Sequence, residues 1–311
     1  MKKFFLAFIL LIGLLDAAFP QTSIFKPLPE EVKVNKEKAN LGKLLFFDPI
    51  LSQDRTVSCF SCHDIYNKCG TDHQPVSTGI FGRKGRANAL TVYNAFLNFR
   101  QFWNGRAKNL KEQILFVFKS PSEMGMTEKE LKKRMENHQF YREKFKKIYG
   151  NVPITPELVA DAIAEFEKTL ITPSSKFDLY LKGKVQLSEE EKIGLELFKS
   201  YGCVSCHNGI NIGGNSFQKL GAVIPYPWKP TNPDRYQITK NPDDKNVYRV
   251  PSLRNVDCTY PYFHDGTVKT LYEAVKLMGK HNLGIDIPDE DIRYIIRFLK
   301  TLRGKTPKVE F

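Results

Sequence analysis

The segments Cys59-Phe60-Ser61-Cys62-His63 and Cys203-Val204-Ser205-Cys206-His207 are two copies of the pattern Cys-x-x-Cys-His in one chain of 311 residues. This pattern is typical of covalent c-type haem attachment, in which the thiols bond to the haem vinyl groups and the histidine ligates the iron. A zinc ribbon would place its cysteine pairs about 15–20 residues apart, far closer than these, and a redox Cys-x-x-Cys pair does not require the histidine. The sequence therefore predicts two c-type haems.

The N-terminus has the composition of a secretory signal peptide. Met1-Lys2-Lys3 is basic, an apolar run extends from Phe4 to Leu15, and the small residues Ala17 and Ala18 follow. The run is shorter than the roughly 20 apolar residues that a transmembrane helix needs. We predict a signal peptide at residues 1–20 and a periplasmic protein, which agrees with haem attachment outside the cytoplasm; an uncleaved membrane tether is the less favoured alternative.

The chain is strongly basic, with a formal net charge of +13. A basic surface can attract an acidic partner, although haem propionates would neutralise part of this charge. Nucleic acid is not expected as a partner of an exported haem protein. Four of the six cysteines belong to the haem motifs. The other two, Cys69 and Cys258, either form a disulfide, as an oxidising compartment permits, or remain separate thiols.

A weak internal repeat divides the chain. Gly42-Lys43-Leu44-Leu45-Phe46-Phe47 precedes the first haem motif, and Gly194-Leu195-Glu196-Leu197-Phe198-Lys199 precedes the second. Each reads as a helix whose apolar face meets a haem. We predict a mostly α fold of two tandem cytochrome-c-like haem domains with long loops, spanning residues 21–172 and 173–311.

Further helices are predicted from their capping residues. The pairs Ser188/Glu191, Thr127/Glu130 and Thr270/Glu273 fit capping boxes. Thr155-Pro156 places proline at a first helical position, and a last amphipathic helix is predicted from Asp289 to Leu302. The stretch from Asn208 to Tyr248 is rich in Gly, Pro and Asn, and we predict a loop that wraps a haem.

Two further segments resemble a known family. Gln101-Phe102-Trp103-Asn104-Gly105-Arg106-Ala107 and Tyr260-Pro261-Tyr262-Phe263-His264-Asp265-Gly266, together with the haem motifs in this order, resemble the bacterial di-haem cytochrome c peroxidases, which include MauG-like enzymes. The resemblance extends from about Gly42 to Leu302. It implies a peroxidatic N-terminal haem and an electron-transferring C-terminal haem, with His63 and His207 as proximal ligands.

The resemblance also implies a distal ligand for the C-terminal haem. Met278 lies where the family's peroxidases place a distal methionine, and His/Met ligation raises a haem's potential. MauG itself has tyrosine at this place, and this chain does not. His281 is the alternative ligand.

The N-terminal haem shows the main departure from the family. The classical peroxidases carry a removable distal histidine where this chain has Ile80, in the stretch Thr78 to Asn88. Isoleucine cannot ligate iron, so we expect an open iron site, as in the MauG-like branch. His73 is close enough in sequence to be an alternative ligand, although a plain loop histidine is the preferred interpretation.

The matched motifs also carry the distal residues. Glu123 matches the catalytic glutamate, Gln113 matches a hydrogen-bonding distal glutamine, Phe102 is expected to close the pocket, and Trp103 matches the inter-haem tryptophan. Arg106 and Arg249 are candidate partners of haem propionates. Without the resemblance, each of these would read as an ordinary surface or core residue.

The family also holds a Ca²⁺ between its domains. The resemblance carries its ligands onto the side chain of Asn88 and the carbonyls of Thr259 and Pro261. A few protein oxygens completed by water are acceptable ligands for Ca²⁺.

The sequence therefore predicts a di-haem peroxidase that reduces H2O2 with electrons from a small donor protein, such as a monohaem cytochrome c or a cupredoxin. The first alternative is a MauG-like oxidase of a protein or organic substrate, which Ile80 favours and Met278 disfavours. The second is a non-enzymatic di-haem electron carrier, against which Gln113 and Glu123 argue. A homodimer remains open.

Overall fold

The structure is a computed structural model, and it describes residues 24–309. The predicted signal peptide at residues 1–20 lies outside the described residues. Within residues 24–309, no helix has both the length and the apolar character needed to cross a membrane.

Helices dominate the described chain. The N-terminal half contains α1 (Lys36–Phe47), α2 (Cys59–Cys62), α3 (Leu110–Lys119), α4 (Glu128–Asn137), α5 (Gln139–Tyr149) and α6 (Pro156–Glu167). The C-terminal half contains α7 (Lys176–Leu181), α8 (Glu189–Ser200), α9 (Tyr236–Thr239), α10 (Leu271–Met278) and α11 (Asp289–Lys300), and a π-helical turn at Gly279–Leu283 continues α10. The mostly α fold predicted from the sequence agrees with this content.

The predicted loop from Asn208 to Tyr248 is not wholly irregular. It contains β1 (Phe217–Lys219), the single turn of α9 and most of β2 (Val247–Arg249). The two strands form an antiparallel pair in which Phe217 lies opposite Arg249. A prediction from composition missed them because three-residue strands are too short to show alternation.

Two separate hydrophobic cores organise the molecule. One is built from buried residues between Leu41 and Leu170 and contains α1, α3 and α6; the other combines Phe25 with residues between Phe177 and Leu302. Cys59 packs against the first core and Cys203 against the second. Each Cys-x-x-Cys-His motif is therefore supported by its own core.

The internal repeat corresponds to the same kind of close helix–helix contact in each half of the chain. α1 packs against α6, and α8 packs against α11. A Cβ at Gly42 would lie 1.8 Å from the carbonyl oxygen of Ala162, and one at Gly194 would lie 2.0 Å from that of Tyr294. Only glycine permits backbones to approach so closely, so the repeated glycine fixes an equivalent helix crossing in each half.

The capping residues begin the helices as expected, with one difference in detail. Ser188 and Glu191 form a reciprocal capping box. Thr127 and Thr270 each accept a hydrogen bond from the backbone N–H three residues later, but the return bond to the cap residue's own N–H is not formed. Thr155 caps α6, with Pro156 at its first position.

The two halves are tied together at several points. A disulfide joins Cys69 to Cys258, which settles the alternative that the sequence left open. In the buried contact between the halves, Thr172 Oγ1 accepts hydrogen bonds from the side-chain amides of Asn94 at 2.8 Å and Asn255 at 2.9 Å. These contacts join the two halves at buried or partly buried positions.

Candidate functional site

The first haem motif forms a short helix that presents a histidine with one nitrogen engaged. α2 ends at Cys62, and His63 follows with its Nδ1 3.1 Å from the carbonyl oxygen of Gly70. Burial lowers the pKa of His63, which favours the neutral ring that ligates iron. A hydrogen bond from Nδ1 to a carbonyl leaves Nε2 for a metal, so the geometry suits proximal ligation.

The cysteines of both motifs lie in apolar surroundings. Burial raises the pKa of Cys59 far above its ordinary value, and it raises the pKa of Cys62 and of Cys203 to about 11. Within residues 24–309, no group of three His, Cys, Asp or Glu side chains converges as a metal site. The zinc alternative has no support in this part of the chain.

Glu123 lies near the first haem motif. Burial raises the pKa of Glu123, while a hydrogen bond from Ser120 and the positive charge of Arg106 oppose that rise. The charge of Glu123 also contributes, after burial, to the raised pKa of Cys62, so the carboxyl lies within electrostatic reach of one attachment cysteine. A half-buried carboxyl whose pKa is raised holds its proton more readily than an exposed one, which suits a group that accepts and returns a proton.

Phe102 and Arg106 form a stack beside this carboxyl. The Arg106 guanidinium lies 3.3 Å from the centre of the Phe102 ring and 5.7 Å from that of Phe116. Its Nη1 donates to Asn104 Oδ1 at 3.2 Å. Burial lowers the pKa of Arg106, and the charge of Glu123 partly restores it, so the two charges lie in one partly desolvated site.

Gln113 is less defined by its contacts. It is half-buried in α3, three residues before the exposed Phe116. Among residues 24–309, its side chain has no hydrogen-bond partner. The structure therefore does not join Gln113 to Glu123 by a direct bond.

Ile80 is fully buried and packed. Its backbone N–H donates to the Glu123 carbonyl at 3.0 Å. A Cβ at Gly125 would lie 2.2 Å from Ile80 Cδ1, so the isoleucine side chain packs directly on the segment that carries Glu123.

His73, the alternative ligand, is held elsewhere. Its Nε2 is 2.9 Å from the Cys258 carbonyl oxygen, and its ring stacks on Tyr260 with 4.0 Å between ring centres. Both of these partners belong to the other half of the chain. His73 thus serves a contact between the halves.

The second haem motif borders a cavity of about 310 Å³. Cys203, Cys206 and His207 form part of its wall, and Met278 lies at the end of α10 on the same cavity. Apolar side chains contribute much of the remaining wall: Leu271, Val275, Ile295 and Leu299. The pKa of His207 falls to about 4 through burial, so its ring is neutral.

Met278 and His281 are placed differently. Met278 lines the cavity together with His207. His281 Nδ1 is 3.0 Å from the Ile224 carbonyl oxygen, and its ring packs edge-on to Tyr226. Of these two candidate ligands, Met278 is among the described residues that line the cavity, and His281 is not.

Arg249 gives the cavity an uncompensated positive charge. The residue is 2% exposed, lines the cavity, and donates from Nε to the Phe102 carbonyl and from Nη1 to the Val250 carbonyl, both at 3.3 Å. Burial lowers its pKa to about 10, and no carboxylate within residues 24–309 forms an ion pair with it. A buried cation requires a counter-charge, and a haem propionate would supply it. The residues present therefore fit a c-type haem in this cavity.

Trp103 lies in the wall of the cavity that borders the second haem motif. Its indole N–H donates to the Asn88 carbonyl at 2.9 Å. Its ring is edge-on to Tyr248 and to His264, which stack on each other at 4.5 Å. Phe102, the preceding residue, stacks with Arg106, so the Phe102–Trp103 dipeptide runs from that stack to the cavity wall.

The three calcium candidates lie on the same cavity. Asn88, Thr259 and Pro261 all line it, and Asn88 N–H donates to the His264 carbonyl at 2.8 Å. The Asn88 side-chain amide donates to the Gln74 carbonyl at 3.0 Å, which leaves its oxygen available. The structure brings these residues to one region between the halves.

Two features of the site were not assigned from the sequence. The Gly70 carbonyl that holds His63 has no sequence signature, because any residue supplies a carbonyl. His264 is 2% exposed, and its Nδ1 is buried without a hydrogen-bond partner among the described residues. His264 lies inside the motif Tyr260 to Gly266, which supported the family resemblance without giving this histidine a role.

Two haem-attachment motifs on two helical cores, with a half-buried carboxyl near one and a methionine on the cavity of the other, define a di-haem c-type protein. The di-haem cytochrome c peroxidase family model matches residues 36–186. The cytochrome c551 peroxidase of Nitrosomonas europaea is 44% identical over 91% of this chain and 84% of its own, and that of Pseudomonas aeruginosa is 39% identical over 95% and 89%.

A solved structure is also similar. The crystal structure of a MauG-like protein associated with microbial copper homeostasis has a TM-score of 0.80 and 28% identity, and the match covers 93% of this chain and 95% of that one. The chain belongs to the di-haem cytochrome c peroxidase family. The family resemblance inferred from the motifs is confirmed.

Proposed function

We propose that the protein is a di-haem peroxidase that reduces H2O2 to two water molecules. The reaction consumes two protons and two electrons, and a small redox protein such as a monohaem cytochrome c or a cupredoxin supplies the electrons. The observation that carries this proposal is the half-buried Glu123 carboxyl, whose pKa is raised and which lies within electrostatic reach of both Cys62 and Arg106. An electron carrier has no need of such a group.

The residues near Glu123 supply the proton chemistry. Haem, when bound at Cys59, Cys62 and His63, supplies the iron at which peroxide is reduced. Glu123 accepts the first proton of H2O2 and returns it to the leaving oxygen, a role that one carboxyl can fill. Phe102 and Arg106 limit solvent access on one side. Gln113, in α3, is assigned to orient peroxide by a hydrogen bond.

The C-terminal cavity is assigned to electron entry. His207 and Met278 would ligate its iron, and Arg249 would compensate a propionate. Trp103, between this cavity and Phe102, is the aromatic residue best placed to connect the two sites. His/Met ligation raises a haem's potential, which suits a haem that receives electrons.

A MauG-like oxidase is the second candidate, and a specific observation supports it. Ile80 is buried against Gly125 and offers no distal ligand, as in an iron site that is permanently open. The position of Met278 on the C-terminal cavity favours the peroxidase instead. We also propose a Ca²⁺ held by Asn88, Thr259 and Pro261, export directed by residues 1–20, and domains near residues 21–172 and 173–311.

A direct assay tests the proposed function. Purified protein with two haems is mixed with a reduced monohaem cytochrome c or a reduced cupredoxin, and donor oxidation is followed after H2O2 is added. We expect two donor molecules oxidised per H2O2 consumed. Loss of peroxide without donor oxidation, or oxidation of a quinol or protein substrate in its place, would contradict the peroxidase assignment.

Replacing Met278 is expected to change the potential of one haem. In Met278→His, a nitrogen ligand replaces the thioether, and the reduction potential of the C-terminal haem should fall substantially, since axial ligands help set haem potentials over about 0.8 V. A redox titration monitored by absorbance measures it. His281→Ala is the control and should leave the potential unchanged; the reverse pattern would assign His281 as the ligand.

A further inference from the structure

The Cys69–Cys258 disulfide joins two loops that each belong to a haem site. On the N-terminal side, Cys69 directly precedes Gly70, whose carbonyl oxygen is 3.1 Å from His63 Nδ1. The loop is also held by the Thr91 hydroxyl, which donates to the Cys69 carbonyl at 2.5 Å. One end of the disulfide therefore lies one residue from the group that engages the proximal histidine.

The other end of the disulfide leads into the wall of the C-terminal cavity. Cys258 ends a 3-10 turn that begins at Val256, and the chain then passes through Thr259, Pro261 and His264, all of which line the cavity. Cys258 itself is buried. A shift of this segment would change the cavity wall directly.

Cys69 adopts a backbone conformation that needs support. Its φ is +51°, in the left-handed region that non-glycine residues occupy at a cost, and Gly70 follows with φ +74°. Backbone hydrogen bonds also hold Gly70: its carbonyl accepts from the Val92 N–H at 3.2 Å, and its N–H donates to the Asp64 carbonyl at 2.9 Å. The left-handed conformation at Cys69 adds a cost that these bonds and the disulfide must offset together. The covalent bond to the buried Cys258 opposes a departure from this conformation.

We propose that the Cys69–Cys258 disulfide is a positioning element for the proximal histidine of the N-terminal haem, and that it couples this histidine to the wall of the C-terminal cavity. The contact of His73 Nε2 with the Cys258 carbonyl and the bond from Asn88 N–H to the His264 carbonyl reinforce the same junction. The inference rests on the proposed ligation by His63, and it goes beyond the peroxidase reaction.

The physical consequence concerns the basicity of the imidazole. A hydrogen bond from Nδ1 to a carbonyl orients a ligating histidine and makes it a stronger donor to the metal. If the disulfide is absent, the loop from Cys69 to His73 relaxes and this bond weakens. The iron–histidine bond should then weaken and the reduction potential of the N-terminal haem should rise, while covalent haem attachment is retained.

The test uses the double variant Cys69→Ser, Cys258→Ser, purified with both haems. We expect the iron–histidine stretching band of the reduced protein, observed by resonance Raman spectroscopy, to move to lower frequency. The potential of the N-terminal haem should rise in the same variant. Tyr66→Phe is the matched control: it removes another bond between the halves, from the Tyr66 hydroxyl to the Val309 carbonyl, and should leave both values unchanged.

A second measurement covers the case in which the variant fails to fold. The mature wild-type protein is treated with a phosphine, which becomes the phosphine oxide as it gives two electrons to the disulfide; water supplies the oxygen and the two thiol protons. The thiols are then alkylated, the phosphine is removed, and the haems are reduced again for the Raman measurement. The same band shift is expected in this sample.

The outcomes separate the proposals. A lower melting temperature with an unchanged band and potential, in either preparation, would make the disulfide a purely structural link and overturn the inference. The untreated wild-type protein should show an iron–histidine band, and His63→Gly should remove it. If the band is missing in the wild-type protein, or persists in His63→Gly, the proposed ligation by His63 is wrong. Peroxidase activity is not needed for either conclusion.

Discussion

Replacing Glu123 by glutamine is expected to slow turnover with H2O2 by about 10²–10⁴-fold, the usual contribution of a positioned acid or base. Glutamine keeps the shape of the side chain and its contact with Ser120, but it cannot carry the proton from one peroxide oxygen to the other. The initial rate of donor oxidation at saturating H2O2 measures the effect. Haem content and melting temperature should remain at wild-type values.

Glu128→Gln provides the comparison. Glu128 is an exposed residue in the first turn of α4, so the same chemical change there should leave turnover unaffected. If Glu123→Gln retains near wild-type turnover with both haems present, Glu123 is not the acid/base, and this half-buried carboxyl has a structural role.

The pH dependence gives an independent check. Burial raises the pKa of Glu123, and the base is active only when it is deprotonated. The rate of reaction with H2O2 should therefore fall as the pH drops through this raised pKa, and it should be restored as the pH rises. In Glu123→Gln this acidic limb should be absent.

The helical core was largely predictable because it depends on local signals. The repeat around Gly42 and Gly194 correctly indicated a helix in each half, and Thr155-Pro156 began α6 as expected. The helix crossings at these glycines became visible only in the structure. The pairing of β1 with β2 was not predictable, since three-residue strands form only when distant segments meet. Cys69 and Cys258 could be counted from the sequence, but their pairing needed the folded contact between the halves.

The site was predictable only where chemistry requires a particular side chain. Cysteine and histidine in a fixed spacing identified both haem motifs, and motif resemblance identified Glu123 and Met278 as candidates. The Gly70 carbonyl and the packing of Arg106 on Phe102 depend on backbone position and on tertiary contacts. Neither the backbone position nor the tertiary contacts can be read from a sequence pattern.

The iron site beside Ile80 is expected to be open in the fully oxidised protein, and peroxide should react there without prior reduction. Ile80 has no lone pair to offer, and it is packed on Gly125 beneath the Glu123 carbonyl. His73 would have to leave both the Cys258 carbonyl and the Tyr260 ring to reach an iron. The electron paramagnetic resonance spectrum of the diferric protein should show one high-spin haem.

Ile80→His should close this site, and Ile80→Leu should not. An imidazole at position 80 can ligate the iron and block peroxide until the haems are reduced, so the diferric variant should show two low-spin haems and no spectral change when H2O2 is added. The leucine variant controls for the altered packing on Gly125. Two low-spin haems in the wild-type protein, with no reaction before a reductant is added, would contradict the prediction. Recovery of an open haem in His73→Ala would then identify His73 as the blocking ligand, because no other change separates the two proteins.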